Sequence, residues 1–144
     1  MSVILVSNCL LGTECRYKGD GCKCDGVLRL AEEHTLVPVC PEQMGGLPTP
    51  RDPAEIQGER VVSCAGKDVT AEYKKGAETA LFLAKLNRVD FAILKAKSPS
   101  CGKGLIYDGT FTGNKVPGNG VAAALLQENG IPVFTEDELD KLPL

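Results

Sequence analysis

Seven cysteines and a single histidine set the chemistry open to this chain. Cys9 stands in Ser7-Asn8-Cys9-Leu10-Leu11-Gly12, Cys40 in Val39-Cys40-Pro41-Glu42 and Cys101 in Lys97-Ser98-Pro99-Ser100-Cys101-Gly102. Each follows an apolar stretch and sits among turn-forming residues, a poor setting for a cysteine that only fills a core. Their separations of 31 and 61 residues match no zinc-finger spacing. Thiolates drawn from separated loops suit a cofactor at an active site, and they select zinc or an iron–sulfur cluster. With His34 alone, no site built on three histidines is available. Cys15, six residues past Cys9, is close enough to reach the same site as a fourth ligand, a free catalytic thiol or a sulfur carrier. Arg16 and Lys18 would lower its pKa if they face it. Cys22 and Cys24 form a Cys-x-Cys pair that, with Cys15, gives an incomplete zinc site. Cys64 is expected to be structural.

The elements that could gather these thiols can be read along the chain. Val3 to Ser7 is a short apolar run and reads as a buried strand. Thr35 to Val39 reads as a second strand, although Pro38 removes a ladder donor. Asp90 to Ala96 is a third, and Pro132 to Phe134 a short last one. Asp25 can cap a short helix that ends near His34. Tyr73, Ala77, Ala80, Leu81 and Ala84 fall at helical spacing between about Thr70 and Arg88; Gly76 weakens that helix without ending it. Val121 to Glu128 is helical up to Gly130, and Thr135 with Glu138 forms a capping box for a terminal helix. Residues 41–58, rich in proline and glycine, read as loop. Arg60–Ser63 and Lys67–Val69 flank Ala65-Gly66 as one hairpin, and Gly104–Thr112 turns at Asp108-Gly109 as another.

Strands alternating with helices predict an α/β protein: one domain over residues 1–144, a Rossmann-like layered fold with a mainly parallel sheet and added β-hairpins. Ligands of such sheets bind beyond the carboxyl ends of the strands. Cys9, Cys40 and Cys101 follow the first, second and third strands, so adjacent parallel strands would bring all three thiols to one edge.

Composition narrows the setting. The 144 residues carry a net charge of −3, which favours a small molecule over nucleic acid as the partner. No apolar run approaches the ~18 residues of a membrane helix. The first residues lack a basic segment followed by a long apolar one, so a cytoplasmic protein is expected.

Three blocks together are more telling than any one of them. Val6 to Gly19, Cys40-Pro-Glu with Gly45-Gly-Leu-Pro-Thr-Pro-Arg51, and Lys97-Ser-Pro-Ser-Cys-Gly102 occur in an order that resembles the thiouracil desulfidase family of small bacterial proteins. The similarity spans nearly the whole chain. It implies a [4Fe–4S] cluster held by three cysteines with one iron open to the sulfur of a thiolated nucleobase. The thiocarbonyl is then hydrolysed to a carbonyl without net redox change, and hydrosulfide leaves. By motif, the ligands would be Cys9, Cys40 and Cys101, the proton-handling carboxylate Glu42 and the catalytic serine Ser98. Cys15 leaves the choice of three ligands from four open.

Other residues follow from their own chemistry. Arg16 and Tyr17 could pair with and stack on a base, Ser100 could donate a hydrogen bond, and Lys97 could add positive charge, as could Lys95 and Lys103. Arg51 could bind phosphate or pair with Asp52 or Glu55. Gly118-Asn119-Gly120 is a weak dinucleotide pattern that could instead start a helix. The expected enzyme is an iron–sulfur-dependent, non-redox desulfidase acting on thiolated uracil as base, nucleoside or nucleotide. The alternatives are a zinc-binding module and a persulfide sulfur carrier.

Overall fold

A computed structural model describes all residues, Met1–Leu144. Its centre is a four-stranded sheet formed by β1 (Val3–Ser7), β2 (Thr35–Val39), β5 (Phe91–Leu94) and β8 (Val133–Thr135), in the order β2-β1-β5-β8. All three strand pairings are parallel. Side chains alternate between its two faces. Leu5, Ala92 and Leu94 join one apolar cluster, while Ile4, Val6, Phe91 and Ile93 join another. Both faces are therefore covered, as a parallel sheet requires. Pro38 is tolerated because β2 lies at the sheet edge, where a missing donor leaves no neighbour unpaired.

On the first face lie α3 (Thr70–Leu86) and α4 (Val121–Glu128); α1 (Asp25–Leu30) lies on the other. Two small antiparallel ribbons complete the chain: β3 (Ala54–Gln57) with β4 (Arg60–Ser63), and β6 (Leu105–Tyr107) with β7 (Lys115–Pro117). No helix is long and apolar enough to cross a membrane.

The α/β architecture is as expected, but several local readings need correction. Residues 41–58 are not all loop. Pro41–Met44 forms the one-turn helix α2, with Pro41 at a first-turn position where its missing N–H costs nothing, and 54–57 is a strand. Four alternating residues between prolines and glycines are too short a signal for periodicity. The first hairpin consequently pairs β4 with the strand before it, across Gly58 at φ +64°, leaving only the isolated bridge Val62–Asp68 on the expected side. The second hairpin opens at Asp108 into a loop rather than a tight turn, and its return strand is 115–117. The third strand is shorter than Asp90–Ala96. The capping box at Thr135 and Glu138 is present, but the turns it starts are 3-10 in character.

Candidate active site

Register decides where the strands deliver their loops. Ser7 lies opposite Val39 and Val6 opposite Ile93, so β1, β2 and β5 end level with one another. A 3-10 turn over Asn8–Leu11 follows β1, α2 follows β2, and the Lys95–Gly102 loop follows β5. A cavity of about 400 Å³ opens among these three connections and the segment at Cys15–Tyr17. Cys9, Cys15, Cys40 and Cys101 all line it, as do Glu42 and Ser98.

The four thiols affect one another. Cys9, Cys15 and Cys101 are buried and Cys40 is half-buried. A hydrogen bond with Cys40 lowers the Cys15 pKa, but one with Cys9, together with burial, outweighs it and pushes the thiol up to about 11. The bond with Cys15 and then burial raise Cys40. Burial pushes Cys101 up to about 12. Thiols this crowded resist ionising together until a cation offsets their charge, and metal binding must therefore displace their protons.

Two hydroxyls stand behind Cys101. Ser7 Oγ accepts from the Lys95 N–H at 2.9 Å, leaving its own proton for the sulfur, where it favours the thiolate. Ser100 Oγ is buried with no well-formed partner and also adjoins that thiol. Ser100, expected as a hydrogen-bond donor to substrate, is fully buried and is not among the residues that line the cavity. Ser98 faces inward. Its Oγ accepts from the N–H groups of Ser100 at 3.1 Å and Cys101 at 3.0 Å, which fixes the loop and leaves one hydroxyl proton to donate.

The remaining site residues divide. Arg16, Tyr17 and Lys97 line the cavity. Arg16 and Lys18 also stand over the Tyr17 ring, at 6.0 and 5.7 Å from its centroid. Lys97 holds a left-handed φ of +67°, uncommon for a side-chain-bearing residue, at the cavity rim. Lys95 pairs with Glu136 at 2.9 Å, and Lys103 with Glu138 at 3.0 Å away from the cavity. Arg51 pairs with Glu42 instead of Asp52 or Glu55. The Gly118–Gly120 segment does start α4, but its role is packing: a Cβ at Gly120 would lie 2.4 Å from the Ser100 carbonyl oxygen.

Sequence reasoning missed Ser7, Glu55, Tyr73 and Tyr107. Along the chain Tyr73 reads only as a core position of α3, and Tyr107 and Glu55 reach the cavity through ribbons whose pairing differs from the expected one.

Neither alternative chemistry is supported. No group of three or more His, Cys, Asp or Glu side chains converges as a single metal ion requires, and Cys22 and Cys24 pack with the apolar cluster around Cys9. A sulfur carrier needs an accessible thiolate, whereas Cys15 is buried and its pKa raised.

Comparison with known proteins gives a family and a shared fold. The profile of the 2-thiouracil desulfurase family matches residues 4–138. The uncharacterized protein YbbK of Bacillus subtilis (strain 168) is 45% identical over 150 aligned positions, covering 97% of this chain and 99% of its own. Among solved structures, the [4Fe-4S]-dependent thiouracil desulfidase TudS superimposes with a TM-score of 0.94 at 49% identity, over 99% of this chain and 95% of that one.

Proposed function

Because this chain belongs to the 2-thiouracil desulfurase family, we propose that it is an iron–sulfur-dependent desulfidase that hydrolyses the thiocarbonyl of a thiolated uracil. The products are the carbonyl and hydrosulfide. The observation that carries the reading is the convergence of Cys9, Cys40 and Cys101 from three strand ends onto one cavity with Glu42 beside them.

The donor set fits a [4Fe–4S] cluster. Such a cluster takes each thiolate on a different iron, so its ligands ring a volume instead of meeting at a point. The uncommitted Ser100 hydroxyl beside Cys101 is the kind of donor that stabilises a metal-bound sulfur. Cys9, Cys40 and Cys101 would hold the cluster, with Cys15 as the fourth thiol on the same wall. When bound, the cluster supplies a soft Lewis acid that prefers a thiocarbonyl sulfur to a carbonyl oxygen and polarises the carbon–sulfur bond.

The chain's own groups do the rest. Glu42 takes a proton from the water that attacks the thiocarbonyl carbon and returns it to the sulfur; the proton of the added hydroxyl passes to solvent as the carbonyl forms and the carbon–sulfur bond breaks to release hydrosulfide. One water is consumed, and no electron is gained or lost. Assistance of this kind contributes on the order of 10²–10⁴-fold. The free Ser98 proton donates to the reacting group. Tyr17 offers a face for the pyrimidine, and Arg16 and Lys97 place positive charge at the rim for the polar or anionic part of a nucleoside or nucleotide.

Anaerobic reconstitution tests the proposal directly. The loaded protein is expected to absorb broadly in the blue and to release sulfide from 2-thiouracil. Individual Ser replacements of Cys9, Cys40 and Cys101 are expected to abolish iron binding, while Cys15→Ser separates a ligand from a bystander. Full iron occupancy with no desulfuration of any thiolated uracil would overturn the activity.

A further inference from the structure

Glu42 is gripped from the side away from the cavity. The Tyr73 hydroxyl donates to Glu42 Oε1, and Arg51 Nη2 stands 3.5 Å from Oε2. Tyr73 is 2% exposed and the Arg51 side chain 5%, against 19% for the Glu42 side chain. Only Glu42 of the three lines the cavity. Burial and then the Glu42 charge raise the pKa of Tyr73, so its hydroxyl keeps its proton and acts as a donor.

The grip is itself anchored on both sides. Arg51 Nη1 donates to the Pro48 carbonyl at 3.1 Å and to Thr49 Oγ1 at 3.0 Å, which fixes the guanidinium plane. Nη2 also donates to the Cys15 carbonyl at 3.0 Å, linking the carboxylate's partner to the thiol-bearing loop. Tyr73 is carried by α3, against which α2 is pressed at van der Waals distance. A Cβ at Gly76 would lie 1.8 Å from the Pro41 carbonyl oxygen, and one at Gly45 would lie 1.9 Å from that of Glu72. Gly76 within α3 and Gly45, just past the end of α2, thus set the spacing between Glu42 and Tyr73.

We propose that Tyr73 and Arg51 are positioning residues for the reaction: they hold the Glu42 carboxylate by its two oxygens, aim it into the cavity and tie it to the Cys15 loop. Neither touches substrate. This rests on the role given to Glu42 above. A carboxylate held on one side only would swing, and a misplacement of about 1 Å can cost on the order of 10²-fold in rate.

The test uses anaerobically loaded enzyme and three substitutions, two of them also combined. Tyr73→Phe keeps the ring and removes the donor; Arg51→Lys keeps the charge and removes the fork. Each is expected to lower kcat roughly 10- to 100-fold while KM, iron content and the visible absorption stay at wild-type values. Placed on Glu42→Gln, Tyr73→Phe is expected to cost nothing more, because the group it acts through is already disabled. Infrared difference spectra against Glu42→Gln identify the Glu42 carboxylate stretch, and Tyr73→Phe is expected to shift that band even without cluster. Wild-type kcat in Tyr73→Phe, or a loss that multiplies onto Glu42→Gln, would overturn the positioning alone. Wild-type kcat in Glu42→Gln would overturn the role of Glu42, and the positioning with it.

Discussion

The two edges of the central sheet use polar groups in opposite ways. At the amino edge they close on one another. Asp90 Oδ2 accepts from the Val3 N–H at 2.8 Å, the Asp90 N–H donates to the Val3 carbonyl at 2.7 Å, and His34 Nδ1 accepts from the Ser2 N–H at 3.0 Å. At the carboxyl edge, four thiols line one cavity, three of them (Cys15, Cys40 and Cys101) with raised pKa values, and a serine hydroxyl is buried without a good partner. Groups satisfied at one end stabilise the fold; groups left unsatisfied at the other are held ready for a ligand. Unmet bonding capacity in an otherwise well-packed molecule is therefore the clearest sign of the site.

Substitutions can break or sharpen this contrast. The largest effect is expected from Gly76→Ala, at the α2–α3 contact behind the carboxyl edge. The added carbon collides with backbone, so the two helices must part. Stability is expected to fall by about 3 kcal/mol in denaturant titrations, the upper range for overpacking, with activity lost as Glu42 leaves Tyr73. A wild-type melting curve would mean that the contact is looser than it looks.

Ser98→Ala comes next. It removes the acceptor used by the Ser100 and Cys101 N–H groups and the only hydroxyl proton that loop offers the cavity. A kcat lowered by about 10²-fold, the low end for a proton-handling or donor group, is expected in steady-state sulfide release. Ser98→Thr is expected to recover part of it. Equal loss in both variants would point to the loop's shape alone.

The smallest effect belongs to the amino edge. Asp90→Asn weakens the bond to the Val3 N–H and is expected to cost about 0.5–1.5 kcal/mol, read by chemical denaturation, with kcat and iron content unchanged. A fall in kcat would show that the two edges are not separable.

Much of this was legible along the chain, because the signals are local. Apolar runs marked β1, β2 and β5, the 3.6-residue spacing of Tyr73, Ala77, Ala80 and Ala84 marked α3, and the Thr135–Glu138 capping box survived intact. The ribbons were less legible. Three- and four-residue strands carry almost no periodicity, and their pairing depends on which neighbour the fold presents. Gly76 reads on the chain only as a weak point in a helix; the Pro41 carbonyl that requires it comes from a distant segment.

The sequence by itself determined the inventory: which strands build the central sheet, that a cysteine follows each of three, and that Glu42 and Ser98 stand near two of them. Tertiary structure decided the partnerships. It drew Cys15 onto the same wall, took Arg51 to Glu42 instead of its neighbours, turned Ser100 inward and placed Tyr73 behind the carboxylate. The reason is physical. Secondary structure follows from side-chain period and backbone preference over a few residues, whereas a shared site depends on strand register and the distance at which two helices can pack.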